Sequence, residues 1–112
     1  MEKVAMEGYT FVDGGGCAAK GFRPGGVYCG IKDNPDKKND LMVVAADAMC
    51  NAAAVYTQNK VKGAPVLVMK KHLKATCGKT MAVVANSKNA NTCNADGEEK
   101  AEAMCALTAK EL

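Results

Sequence analysis

The sequence predicts an α/β (α+β) fold, a mixed sheet with a helix at its C-terminal end. Three observations lead there. Two short apolar runs rich in β-branched residues, at 41–46 and 80–85, have strand length rather than helix length. The last sixteen residues instead carry apolar positions at helical spacing behind a capping residue. A chain of 112 residues with 48% apolar and 24% charged residues is of ordinary globular composition and holds one domain at most.

The first third is punctuated by Gly14-Gly15-Gly16, Gly21, Gly25, Gly26 and Gly30. Residues 27–29 with Ile31 read as a short, glycine-interrupted strand. Residues 33–40 form a polar turn, and 41–46 then read as a strand buried on both faces. Residues 52–57 read as a further strand, because Asn51 and Gln58-Asn59 bracket them too tightly for a helix. Residues 65–69 read as another, with Pro65 tolerable at a strand's first position. Residues 70–74 are a short helix or turn, 80–85 a continuous apolar strand, and 86–92 an amide-rich turn. In the final segment Asp96 and Glu99 form a capping-box pattern, and Ala101, Met104, Cys105, Thr108 and Leu112 lie on one stripe. No Gly or Pro stop follows, so residues 1–112 are expected to be a single partial domain.

Composition excludes several functions. A net charge of +3 and only 4% aromatics provide neither a basic stripe nor a stacking platform for nucleic acid. No apolar run approaches the ~18 residues of a membrane span, and residues 1–7 contain no signal-peptide core, which predicts a cytoplasmic protein. The six cysteines, Cys17, Cys29, Cys50, Cys77, Cys93 and Cys105, stand at least twelve positions apart and His72 is the single histidine, so no metal site is expected. Cys50, Cys93 and Cys105 lie among Ala and Met and are expected to pack in the core. His72, among lysines, is expected to be a solvated surface residue. Gly78-Lys79-Thr80 resembles the end of a phosphate loop, but Leu73 occupies the place of the required first glycine, so a turn entering a strand is the better reading. One Ser and one His make no recognisable hydrolytic set.

Four blocks in register carry a more specific signal. Lys20-Gly21-Phe22-Arg23 with Gly26-Val27 and Gly30-Ile31-Lys32 is the first, and Asp40-Leu41 followed by Ala53-Ala54-Val55-Tyr56-Thr57 the second. Asn59-Lys60-Val61-Lys62-Gly63-Ala64-Pro65-Val66 is the third, and Asn86-Ser87-Lys88-Asn89-Ala90-Asn91-Thr92-Cys93 the fourth. Together they resemble the N-terminal part of the α chain in the ornithine acetyltransferase (glutamate N-acetyltransferase, ArgJ) family. The resemblance implies an αββα-layered fold and a role in arginine biosynthesis. It implies transfer of acetyl from N-acetylornithine to glutamate by a ping-pong route through an acetyl-threonine. The nucleophile is the N-terminal Thr of a second, β chain freed by autocatalytic cleavage. Many members also make N-acetylglutamate from acetyl-CoA, a co-substrate, and no cofactor is implied. The implied partners are these small molecules and the remainder of the chain with its β chain, assembled as a heterotetramer. No Thr among the 112 residues stands in the nucleophile's context, so this chain by itself is expected to be inactive.

The family's oxyanion hole is a Thr-Gly pair just after the fourth block, and the resemblance places Asn94 and Ala95 there. Either could donate an N–H to a developing oxyanion; alternatively Asn94 only turns the chain into the capped helix. Lys88 stands where the family has Gly, which would strain the backbone if that position needs positive φ. The alternative to an enzyme segment is a non-catalytic remnant or interaction domain retaining only the strands.

Overall fold

The computed structural model describes residues 6–31, 33 and 35–112. Residues 1–5, where absence of a signal core was read, and Lys32 and Asn34, within the first block and the polar turn, lie outside the described residues. After a short 3-10 turn at Gly15–Ala18 come β1 (Phe22–Val27), β2 (Leu41–Asn51), α1 (Ala64–Ala75), β3 (Lys79–Asn86) and α2 (Gly97–Glu111). The three strands form one antiparallel sheet in the order β1-β2-β3.

The two apolar runs are neighbours in this sheet. Val43 pairs with Val84, Val44 with Val83 and Ala45 with Ala82, while Gly25 and Pro24 of β1 oppose Val43 and Val44. Paired residues share a face, so Leu41, Val43 and Ala45 lie with Asn86, Val84 and Ala82 on the more buried side of the sheet. Met42 and Val44 lie with Ala85 and Val83 on the other side. On that side Met42 is 47% and Val83 54% exposed. The expectation that 41–46 is buried on both faces therefore holds only in part: on the Met42 side Ala46 is 5% exposed while Met42 is open to solvent.

Three other strand assignments are corrected. The first strand begins at Phe22 and ends at Val27, so Tyr28, Cys29 and Ile31 follow it. Pro24 and the glycines are tolerated because β1 is an edge strand. Residues 52–57 form no strand, and Val55 is 98% exposed. Both edges of β2 are taken by β1 and β3, and the 52–57 segment does not pair with either outer strand. Residues 65–69 are helical. Pro65 sits in the first turn of α1, where its missing N–H is no loss. With Ala64 and half-buried His72 four residues to either side, Val68 forms the inward stripe and is only 3% exposed. The β-branched valines suggest a strand, but packing overrides that propensity.

Gly78 ends the turn after α1 at φ +74°, its N–H donating to Leu73 O at 2.8 Å. A Cβ there would lie 3.1 Å from Ala52 O, whose own N–H binds Gly78 O at 2.7 Å. Lys79 and Thr80 then open β3, so this triplet is a turn entering a strand, as the sequence predicts.

In α2, Asp96 occupies the N-cap position but its side chain makes no capping bond. Its carboxylate pairs with Lys100 at 2.7 Å instead, an interaction that holds Asp96 below the usual carboxyl range. The expected capping box with Glu99 does not form, because the charge-assisted bond to Lys100 takes the carboxylate. Ala101, Met104, Cys105 and Thr108 form the half-buried stripe, but Leu112 lies beyond the helix and is exposed.

The two helices are joined across their surfaces. Lys71 Nζ lies 2.7 Å from Glu102 Oε1, and His72 Nε2 lies 2.6 Å from Glu102 Oε2. His72 is therefore half-buried and hydrogen-bonded to Glu102 rather than simply solvated. The hydrogen bond from Lys71, then that from His72, lowers the Glu102 carboxyl from its ordinary value of 4.5. A carboxyl depressed on folding stabilises the fold above its unfolded value and stops doing so as the pH falls through the folded one. Stability of the chain is expected to decline as acid is added below pH 4.5, and Glu102→Gln to flatten that limb in urea titrations across the range.

The cysteines are not core residues. Cys17, Cys29, Cys77 and Cys93 are exposed, Cys50 and Cys105 are half-buried, and all six are free thiols. Among the described residues the buried positions are Ala45, Ala46, Val68 and Asp40, so the packed interior is built from small residues.

Candidate functional site

Asp40, 2% exposed, organises the end of the sheet. Its Oδ1 accepts the Cys29 N–H at 2.8 Å and the Cys29 thiol at 3.2 Å, and its Oδ2 accepts the Ile31 N–H at 3.0 Å. On the main chain, Asp40 N–H donates to Val27 O and Asp40 O accepts from Ser87. One residue thus ties together, by side chain and main chain, the exit of β1, the entry of β2 and the start of the 86–96 loop. The bond to Asp40 holds the Cys29 thiol above its ordinary value.

The 86–96 loop connects β3 to α2. Asn89 Nδ2 donates to Asn91 Oδ1 at 2.9 Å, and Asn91 Nδ2 donates to Asn86 Oδ1 at 2.8 Å. Asn91 O in turn accepts the Ala64 N–H at 3.0 Å, fastening the loop to the first residue of α1. At the same place the two helix starts touch: a Cβ on Gly97 would lie 3.0 Å from that of Ala64. Two helix N-termini, with their partial positive charge, therefore flank the loop.

Backbone strain concentrates here. Lys88, Asn91 and Cys93 have φ of 68°, 55° and 61°. The position where Lys replaces a family glycine does adopt positive φ. Relieving a left-handed lysine is expected to be worth about 1 kcal/mol, so Lys88→Gly should raise Tm by about 4 °C, measured by thermal denaturation.

Asn94 and Ala95 lie at the mouth of a groove of about 420 Å³, whose lining includes Lys60, Lys62, Glu98 and Glu99. Both are exposed. Asn94 O accepts the Gly97 N–H at 3.1 Å, which turns the chain into α2. No acceptor among the described residues engages the backbone N–H of Asn94 or Ala95, or the Asn94 side chain. The structure thus places both sequence-predicted site residues together, with unengaged donors facing solvent. Lys60 and Lys62, which also line the groove, were not singled out in the sequence; their one signal is their place in the third block, just ahead of α1. Among the described residues no three His, Cys, Asp or Glu side chains converge as metal ligands, and no helix is long and apolar enough to cross a membrane.

The fold and site define a class: an α+β protein in which helices cover one face of an antiparallel sheet and a strained asparagine loop meets two helix starts. The chain belongs to the ArgJ family, whose model matches residues 23–112. It is 48% identical over 92 residues to arginine biosynthesis bifunctional protein ArgJ 1 of Clostridium acetobutylicum, covering 81% of this chain and 22% of that protein. It is 43% identical over 96 residues to arginine biosynthesis bifunctional protein ArgJ of Gloeobacter violaceus, covering 86% and 23%. The chain therefore spans less than a quarter of the length of these relatives.

Solved structures agree. The arginine biosynthesis bifunctional protein ArgJ of Bacillus halodurans superposes with TM-score 0.75 at 36% identity, over 83% of this chain and 47% of that one. The ornithine acetyltransferase of Mycobacterium tuberculosis, solved with ornithine, gives 0.68 at 36% identity, over 85% and 51%.

Proposed function

We propose that this chain is the N-terminal part of an ornithine acetyltransferase of arginine biosynthesis, and that Asn94 and Ala95 supply its oxyanion donors. The observation that carries the reading is the pair of unengaged N–H groups at Asn94 and Ala95, beside the start of α2, in a chain of this family. In the proposed reaction a threonine hydroxyl from the remainder of the protein attacks the acetyl carbonyl of N-acetylornithine. Negative charge gathers on the carbonyl oxygen, ornithine departs with its amine protonated, and glutamate nitrogen then takes the acetyl group from the threonine. Donors aimed at that oxygen act mainly in the transition state. Acetyl-CoA would be an alternative first donor. The complete protein is proposed to be an autocatalytically cleaved heterotetramer. Six free thiols without a disulfide suit a cytoplasmic setting.

The 112-residue chain contributes donors but no threonine in the nucleophile's context. Purified alone, it is expected to transfer no acetyl from N-acetylornithine to glutamate, whereas the same residues joined to the remainder of the Clostridium acetobutylicum relative should transfer it. Ornithine release by the isolated chain above a blank preparation would refute the division of labour.

A further inference from the structure

Three elements, β3, α1 and α2, converge on the 86–96 loop, and one residue fastens the first two to it. Asn91 Nδ2 donates to Oδ1 of Asn86, the last residue of β3, at 2.8 Å. Its own Oδ1 accepts from Asn89 Nδ2 at 2.9 Å, which orients the amide. Its main-chain carbonyl accepts the N–H of Ala64, the first residue of α1, at 3.0 Å. Among the described residues no other side-chain bond runs from this loop to β3. Asn91 has φ 55°, a conformation that asparagine tolerates better than most side chains. Only Thr92 and Cys93 separate it from Asn94, whose carbonyl takes the N–H of Gly97, the first residue of α2, at 3.1 Å. So short a link passes any shift of Asn91 on to Asn94 and Ala95.

We infer that Asn91 is the positioning residue of the Asn94–Ala95 pair: its amide ties the loop to β3, its carbonyl ties it to α1, and the two N–H groups are thereby held in one place. The inference rests on the donor role proposed above and deepens that reading. Donors stabilise a developing oxyanion best when they need no reorganisation as the charge appears. The N–H groups of Asn94 and Ala95 have no partner of their own to fix them. Their placement must come from the residues on either side, Gly97 downstream and Asn91 upstream. With the α2 anchor alone the chain would still enter the helix, but the donors would swing about that point. A misplacement of about 1 Å can cost on the order of a hundredfold in rate. Substrate binding, which precedes the oxyanion, should be spared.

Asn91→Gly isolates the amide, because glycine keeps the positive φ and the carbonyl but loses the side chain. In the chain completed with the remainder of the Clostridium acetobutylicum relative, it should lower kcat for acetyl transfer about tenfold or more and leave KM for N-acetylornithine within about twofold. Asn91→Ala should lose as much kcat but also melt lower than Asn91→Gly, because alanine resists positive φ. Asn86→Ala removes the other end of the same bond, so the double variant should be no slower than Asn91→Gly alone. A second readout needs no turnover: 15N relaxation of the 112-residue chain. Order parameters of the Asn94 and Ala95 amides should lie near ~0.85 in the wild type and fall toward ~0.6 in Asn91→Gly. Unchanged order parameters, a kcat that tracks Tm across the variants, or additive losses at Asn86 and Asn91 would overturn the inference. Loosened amides with undiminished turnover would instead refute the donor role of Asn94 and Ala95 and leave Asn91 as the anchor of the loop.

Discussion

Ala95→Pro, made in a chain completed with the remainder of a relative, is expected to lower kcat for acetyl transfer about a hundredfold or more. That is the usual loss for one oxyanion donor. Proline deletes the N–H that otherwise faces solvent beside the start of α2. The KM for N-acetylornithine should stay nearly unchanged, because the donor bonds chiefly to the charged oxygen of the transition state. Asn94→Ala separates the two sources of hydrogen bonds at this position. If the side chain donates, the loss should be of the same size; if only the backbone does, the variant should be mild while Ala95→Pro remains severe. Steady-state kinetics with both substrates, alongside circular dichroism to verify the helices, decide this. Near-normal turnover in both folded variants would return Asn94 to the role of an ordinary turn residue.

Asp40→Ala is expected to destabilise the chain by about 3 kcal/mol or more. The substitution strands two backbone donors, from Cys29 and Ile31, that now bind the carboxylate at 2.8 and 3.0 Å. Hydrogen bonds to a charged group contribute ~1.5–3 kcal/mol each, and an abandoned buried donor adds its own desolvation penalty. Since small domains have ~5–15 kcal/mol in total, a large share of the stability would go. Asp40→Asn should fall between, because an amide retains one acceptor oxygen but turns an NH2 group toward the second N–H. The midpoint of urea unfolding reads the ranking directly. The same amide variant should speed alkylation of Cys29, since the carboxylate that now raises its pKa is gone. Equal midpoints for the wild type and Asp40→Ala would show that the carboxylate is not what holds the sheet end together.

The strands at 41–46 and 80–85 and the final helix were legible because each carries its own period. Alternation or a continuous apolar run marks a strand, and a spacing of three and four marks a helix. Those signals are local, and β2, β3 and α2 follow them. Residues 52–57 and 65–69 were misread for one shared reason. Both have strand-like composition, but composition does not decide whether a segment pairs with a strand or packs as a helix. In the fold the 52–57 segment is unpaired, and 65–69 lie in α1, whose first turn holds Pro65 and whose Val68 is buried.

The site divides in the same way. The asparagine block with Asn94 and Ala95 stood out in the sequence, as did the lysine in a glycine's place, whose positive φ the structure bears out. Asp40 as the hub of the sheet end, and the meeting of Lys60 and Lys62 with Glu98 and Glu99, required the fold. These residues lie tens of positions apart and carry no local pattern that announces their meeting.

By itself the sequence determined the family, the class of fold, the two apolar strands and the final helix. Residue type, spacing and near-neighbour conformation suffice for those. Tertiary structure alone decided which apolar segments became strands, which sheet face is covered, and which charges share a groove. Burial and pairing are relations between distant segments, and their energy depends on what lies opposite as much as on the residue itself.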